Sequence, residues 1–182
     1  NDQNMRDLYT KAETIILDFQ KIPQDDRIYP RYDEKMLRLE MNLFTEWFVN
    51  ILLGIEIQSR DRQIIEDLFE KLIESAIAQS QVVVHKDYHS RNLMLLDDGQ
   101  LGVIDFQDAL VGPVTYDLVS LLKDCYLSWP SKIVADRALN FMRCLSSRGS
   151  IHIESEADFL RSFDWMGLQR HIKVLGIFSP LA

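Results

Sequence analysis

Apolar residues recur every three or four positions at Met5, Leu8, Tyr9, Ala12, Ile15, Ile16 and Phe19, the period of a helix with one buried face, and Pro23 closes that element. The pattern breaks around Ile28-Tyr29-Pro30. A second, more apolar helix is expected through Met36, Leu37, Leu43, Phe44, Trp47, Phe48, Ile51 and Leu52, ending near Gly54. A third runs from about Ser59 to Gln79, with Ile64, Ile65, Leu68, Phe69, Leu72, Ile73 and Ala76 facing inward. These three predict one helical bundle. At Val82-Val83-Val84 the character changes to a β-branched run. Two short apolar runs, Leu93 to Leu96 and Leu101 to Asp105, then flank Asp98-Gly99, which predicts a β-hairpin. After Gly112-Pro113 the helical period returns over Tyr116 to Tyr126 and Ser131 to Leu145, with Pro130 where a helix start tolerates it. Ser146 to Ser150 reads as a loop, and Ala157 to Phe163 and Trp165 to Phe178 as two final helices. The expected fold is mainly α with a small central β-hairpin, without repeats or an internal domain boundary.

Composition narrows the function more than the fold. The chain has 182 residues, 47% of them hydrophobic and 26% charged, which supports a packed core and excludes a disordered or collagen-like chain. Twenty Lys and Arg against 28 Asp and Glu give a net charge of −8, so partners held by a basic patch, nucleic acid or an anionic membrane, are not expected. Cys125 and Cys144 are too few for a disulfide framework. No apolar run approaches the ~20 residues of a membrane-spanning helix, and Asn1 to Asp7 are polar, so a soluble, cytoplasmic setting is expected. The chain opens on Asn1 rather than Met and stops at Ser179-Pro180-Leu181-Ala182, straight after an apolar helix. Further residues are expected on both sides.

The residues that carry chemistry lie between His85 and Asp117. His85-Lys86-Asp87-Tyr88-His89-Ser90-Arg91-Asn92 fits His-x-Asp-x-x-x-x-Asn, the catalytic-loop pattern of kinases, and thirteen positions after Asn92 an Asp105-Phe106 pair closes a strand, like the metal-binding Asp of Asp-Phe-Gly. Phosphoryl transfer needs an acceptor hydroxyl aimed at the γ-phosphorus, and a carboxylate on a rigid loop can hold that hydroxyl and take its proton. Asp87 is the candidate. Hard Mg²⁺ prefers oxygen, so the Asn92 amide and the Asp105 carboxylate, on either side of one hairpin, can clamp metal and nucleotide. Asp or Asn alone in a loop is ordinary turn chemistry; the linked spacing is what carries the reading. His85, at the end of the Val82 to Val84 strand, reads as a loop-holding residue. His85 and His89 are four apart, but in a loop rather than on a helix, which does not suit a zinc pair.

The segment His85 to Cys125, and more loosely the whole chain, resembles the C-terminal lobe of the aminoglycoside phosphotransferase and choline kinase-like superfamily. Ile104-Asp-Phe-Gln-Asp-Ala109, Gly112-Pro-Val-Thr-Tyr-Asp-Leu-Val-Ser-Leu-Leu122 and Leu39-Glu-Met-Asn-Leu-Phe-Thr-Glu-Trp47 look most like bacterial anomeric kinases of N-acetylmuramate and N-acetylglucosamine in cell-wall recycling. The resemblance implies a protein kinase-like C-terminal lobe over residues 1–182, α+β in the complete protein, that uses ATP and Mg²⁺ on a hydroxyl acceptor, a sugar for preference. It implies Asp87 as base, Asn92 and Asp105 as metal ligands, and Asp117 holding the loop through its backbone amides. Met94 and Ile104 would floor the adenine ring, and equally they read as core. Arg91 would neutralise Asp87 or the transferring phosphate, or is a solvated loop arginine. Asp108 either backs the metal ligands or contacts the sugar. The acceptor site is expected on the helix holding Glu40, Glu46 and Trp47 and on those after Pro130, although Trp47 also falls on the core stripe.

One departure is large. The seven glycines, at 54, 99, 102, 112, 149, 167 and 176, never form Gly-x-Gly-x-x-Gly, and no strand-borne Val-Ala-x-Lys precedes the loop. The N-terminal lobe that would meet the phosphates is therefore expected to be absent from this chain, and the lobe alone to be inactive. An aminoglycoside, choline or homoserine-type acceptor is the alternative substrate reading. A non-catalytic kinase-like binding module is the alternative of another class.

Overall fold

The computed structural model describes residues 2–149, 151 and 153–181. Ser150, at the end of the expected Ser146 to Ser150 loop, and the terminal Asn1 and Ala182 lie outside them. Helix α1 (Asp2–Phe19) packs its apolar stripe, Ala12, Ile16 and Leu17, into the core. Helix α2 (Glu34–Leu43) is capped by Asp33, whose carboxylate accepts the Met36 N–H at 2.9 Å. It runs straight into a π-helix, Phe44–Leu52. Helix α3 (Ser59–Ala78) buries Phe69, Leu72, Ile73 and Ala76, four of the positions its period marks. Strand β1 (Gln81–Val84) follows, then a 3₁₀ turn at Ser90–Asn92, the hairpin β2 (Leu93–Leu95) and β3 (Leu101–Val103), strand β4 (Leu110–Pro113), and helices α4 (Tyr116–Leu122), α5 (Ser131–Ser147) and α6 (Glu156–Phe178). A last 3₁₀ turn covers Ser179–Leu181.

Two small antiparallel sheets sit among these helices. In one, β2 pairs with β3 in the register Leu93↔Val103, Met94↔Gly102, Leu95↔Leu101, the hairpin read from the sequence. In the other, β1 pairs with β4, Val82 opposite Gly112 and Val84 opposite Leu110. This partner strand was not expected, because Gly112-Pro113 reads as punctuation. Arg31 adds a parallel bridge to Val111, with the Tyr32 N–H donating to the Val111 carbonyl at 2.8 Å. Val82 to Val84 of β1 and all of β4 are buried, which fixes the two ends of the segment carrying the polar loop.

Two helices differ from the sequence pattern. The expected pair Ala157 to Phe163 and Trp165 to Phe178 is one continuous helix, α6. Asp164, which interrupts the apolar pattern, lies on the solvent side and pairs with Lys123 at 2.7 Å, so it is a surface position and not a break. Helix α4 stops at Leu122 rather than Tyr126, because Asp124 and Tyr126 leave the helix to meet the polar loop.

Candidate active site

The site is built on the loop between β1 and β2. Asp117, at the start of α4 and fully buried, accepts the His85 N–H on Oδ2 at 2.7 Å and the Lys86 N–H on Oδ1 at 3.1 Å. Complete burial pushes its carboxyl up to about 7, against the pull of those two amides and of Arg170. The bonds hold Lys86 in the left-handed region, φ 76°, a conformation that a side chain adopts only when its surroundings impose it. The next residue is Asp87. It is half-buried, and its carboxylate has no hydrogen-bond partner among the described residues.

His85 links this loop to the hairpin. It is buried against the rings of Phe19 and Tyr88, and its Nε2 lies 3.0 Å from the Ile104 carbonyl oxygen. A carbonyl only accepts, so Nε2 carries the proton. Burial lowers the affinity of this imidazole for a second proton. The Ile104 N–H in turn donates to the Asn92 carbonyl at 3.1 Å, and the Asn92 side-chain amide donates to the Asp87 carbonyl at 2.9 Å. This chain of bonds ties Asn92 to the backbones of Asp87 and of Ile104, the residue before Asp105. Asp105, at φ 69°, is the second non-glycine residue in the left-handed region. Among the described residues its exposed carboxylate accepts only from Gln107, at 2.7 Å.

The donor set suits a hard cation. With its NH₂ spent on Asp87, Asn92 has its amide oxygen left for a ligand, and Asp105 offers an open carboxylate. Among the described residues no group of three or more His, Cys, Asp and Glu is placed to hold a metal by itself. A cation here would need further oxygens from a bound nucleotide, as Mg²⁺ at phosphates does.

Other candidates fall around this centre. Met94 and Ile104 are 51% and 45% exposed, which removes the core reading for both and leaves two apolar side chains open, one on β2 and one just past β3, next in sequence but one to Asn92 and adjacent to Asp105 respectively. Arg91 is exposed, its guanidinium 3.7 Å over the Tyr126 ring. Asp108 is exposed and Trp47 half-buried on the π-helix, and neither shares a hydrogen bond with the loop among the described residues. Glu40, expected on the acceptor face, is instead consumed inside the lobe. It accepts from the Tyr32 hydroxyl and pairs with Lys173 at 3.0 Å and with Lys86 at 3.5 Å. Burial raises the Tyr32 phenol well above its ordinary value, so it stays a donor to Glu40. Gln169, at 2.9 Å from Tyr32, and Tyr116, at 3.3 Å from Lys173, complete the buried network.

Sequence reasoning missed Lys86, which stands inside the His-x-Asp pattern, and Asp124, whose carboxylate binds Ser90. The only mark of Asp124 in the sequence is an acidic residue shortly after the apolar run Leu118 to Leu122. A cavity of about 540 Å³ opens beside it between α4, α5 and α6, with Lys123, Trp129, Asp164 and His171 in its walls.

Residues 2–145 match the phosphotransferase enzyme family. The chain is 42% identical over 174 residues to an N-acetylmuramate/N-acetylglucosamine kinase of Neisseria meningitidis, covering 96% of this chain and 52% of that protein. It is 42% identical over 182 residues to a protein of the same name in Pseudomonas putida, covering 100% of this chain and 53% of that one. The chain thus spans about half the length of these curated relatives. Among solved structures, the gentamicin–APH(2″)-IIa complex superposes with a TM-score of 0.60 at 15% identity, over all of this chain and 63% of that one. A Plasmodium vivax ethanolamine kinase gives 0.60 at 15% identity, over 89% of this chain and 51% of that one. The mainly α fold with its small antiparallel sheets, the likeness to these relatives and the match over residues 2–145 lead to one statement: this chain belongs to the phosphotransferase enzyme family.

Proposed function

We propose that this chain is the C-terminal lobe of an ATP-dependent kinase that phosphorylates the anomeric hydroxyl of N-acetylmuramate or N-acetylglucosamine. The observation that carries the reading is the bonded junction of Asp87, Asn92 and Ile104-Asp105, joined at 2.9 and 3.1 Å. The names of the two relatives at 42% identity supply the acceptor class. The half of those relatives that this chain does not match is where the phosphate-covering lobe belongs in this reading.

Asp87 accepts the proton of the acceptor hydroxyl as its oxygen bonds to the γ-phosphorus, and the bond from that phosphorus to the β-bridging oxygen breaks, its electron pair leaving with ADP. Asn92 and Asp105 would hold Mg²⁺, which when bound neutralises phosphate charge. His85 and Asp117 keep the loop in register, and Met94 and Ile104 offer an apolar bed to the adenine. With ATP as donor, the reaction belongs in the cytoplasm.

The test is ADP release by the full-length protein with MgATP and, separately, N-acetylmuramate, N-acetylglucosamine, kanamycin and choline, with ³¹P NMR of the product. Turnover of the two amino sugars to 1-phosphates is expected. Turnover of kanamycin alone would move the acceptor to aminoglycosides, and none with any acceptor would favour a binding module. Asp87→Asn keeps the shape but loses the base, so kcat should fall by ~10² or more; an unchanged rate would remove Asp87 from the mechanism.

A further inference from the structure

The polar loop is tied down at two places, and Asp117 accounts only for the first. Its second half, the 3₁₀ turn Ser90–Asn92, is held by Asp124, two residues beyond α4. One carboxylate oxygen of Asp124, Oδ2, accepts both the Ser90 N–H at 3.0 Å and the Ser90 hydroxyl at 2.6 Å. The other, Oδ1, accepts the Tyr126 N–H at 3.0 Å. Tyr126 then returns to the loop, its ring under the Arg91 guanidinium at 3.7 Å and edge-on to His89 at 5.5 Å. Asp124 is only 8% exposed. Burial acts to raise its carboxyl, but the Ser90 and Tyr126 bonds outweigh this and hold it below the usual carboxylate range. It is an anion wherever the protein works.

We infer that Asp124 is a positioning residue for phosphoryl transfer, acting through Ser90 to fix the spacing of Asp87 and Asn92 and through Tyr126 to hold the Arg91 guanidinium in place. The inference rests on the phosphotransferase reading above. A three-residue 3₁₀ turn has poor hydrogen-bond geometry of its own. Bonds to a charged acceptor are shorter and about twice as strong as neutral ones, so this carboxylate is what makes the turn rigid. Rigidity matters because a displacement of about 1 Å between reacting groups can cost ~10² in rate.

The full-length protein with MgATP and N-acetylglucosamine provides the test. Asp124→Asn has one acceptor oxygen where Asp has two, and so cannot serve both Ser90 and Tyr126. Its kcat should fall by about tenfold or more, with KM for both substrates within about twofold. Ser90→Ala should lose less, and the double variant should be no slower than Asp124→Asn alone, since both act through one bonded pair. Tyr126→Phe keeps the ring face and should keep the rate, whereas Tyr126→Leu should lower kcat. A plain capping role would lower stability and leave kcat unchanged; that result overturns the inference. Ser90→Ala, at a half-buried site, keeps the test open if Asp124→Asn does not fold. Amide hydrogen exchange at Ser90 decides the brace without turnover, and should quicken by about tenfold or more in Asp124→Asn, as an amide that has lost its acceptor opens more readily. If the wild type phosphorylates neither amino sugar, kanamycin nor choline, the phosphotransferase reading fails. The Ser90 exchange rate still decides whether Asp124 holds the loop.

Discussion

Asp117 is a carboxylate with no exposure whose two oxygens are both spent on loop amides, and burial pushes its carboxyl up to about 7. The native state therefore binds a proton more tightly than the unfolded chain, whose Asp titrates near 3.8. Between about pH 4 and 7 the native state holds the extra proton, so stability falls as pH rises through that window, by about 4 kcal/mol at 1.36 kcal/mol per unit. His85, held neutral by burial, contributes in the opposite sense, losing stability as pH falls below its ordinary value. Asp117→Asn removes only the first slope. Urea unfolding at a series of pH values should show wild-type stability declining relative to Asp117→Asn from pH 4 to 7; parallel curves would mean that Asp117 ionises like an exposed acid. Glu40 makes a second case at this scale. Its side chain and that of Lys173 are each 11% exposed, and Glu40→Gln strands two ammonium groups inside the lobe. Such a change costs about 3–5 kcal/mol. The expected result is a large loss in urea stability with sugar KM within about twofold, whereas a raised KM at full stability would return Glu40 to the acceptor site.

At the scale of elements, the junction of α2 with the π-helix is set by its approach to α6. A Cβ on Gly176 would lie 2.5 Å from the Leu43 carbonyl carbon and 2.6 Å from the Phe44 nitrogen, both backbone atoms that cannot rotate away. Gly176→Ala must therefore part the two helices just where one becomes π-helical, and overpacking of this kind costs about 1–3 kcal/mol or more. Thermal unfolding should show a Tm lower by several degrees; an unchanged Tm would mean that the two backbones are not in contact. The sequence makes the helical period of α2 and α3 plain, and with it the core positions Leu37, Phe69, Leu72 and Ile73. It does not reveal the π geometry, because one extra residue per turn leaves no mark in an apolar run. β4 was hidden for a related reason, since four buried residues ending in Gly-Pro carry no alternation. The hairpin was legible from Asp98-Gly99, and the junction of Asp87, Asn92 and Asp105 from linked spacing alone. The Asp124 brace was not, because a tertiary bond from a helix end to Ser90 leaves no periodic trace.

At the scale of the whole molecule, the surface beside the site is unusually apolar for a chain of net charge −8. Met94, Leu95, Leu96, Ile104 and Phe106 are all 45–63% exposed along the hairpin and the segment that follows it. Neighbouring apolar side chains left open in this way mark a surface that meets something else. In the proposed full-length kinase that partner is the nucleotide, with the upstream lobe above it. In this proposal residues 1–182 supply an adenine bed and oxygen ligands, while their sequence holds no Gly-x-Gly-x-x-Gly and no Val-Ala-x-Lys for the phosphates. Isothermal titration should therefore find MgATP binding to this chain alone no tighter than about 1 mM, near −4 kcal/mol. The full-length protein should bind at least about 10²-fold more tightly, a gain of roughly 3 kcal/mol from the added phosphate contacts. The difference should shrink when adenosine replaces ATP, since adenosine has no phosphates for the upstream lobe to grip. Micromolar MgATP binding by residues 1–182 alone would mean that Asn92, Asp105 and the apolar hairpin hold the nucleotide by themselves, and that the upstream lobe serves the acceptor instead.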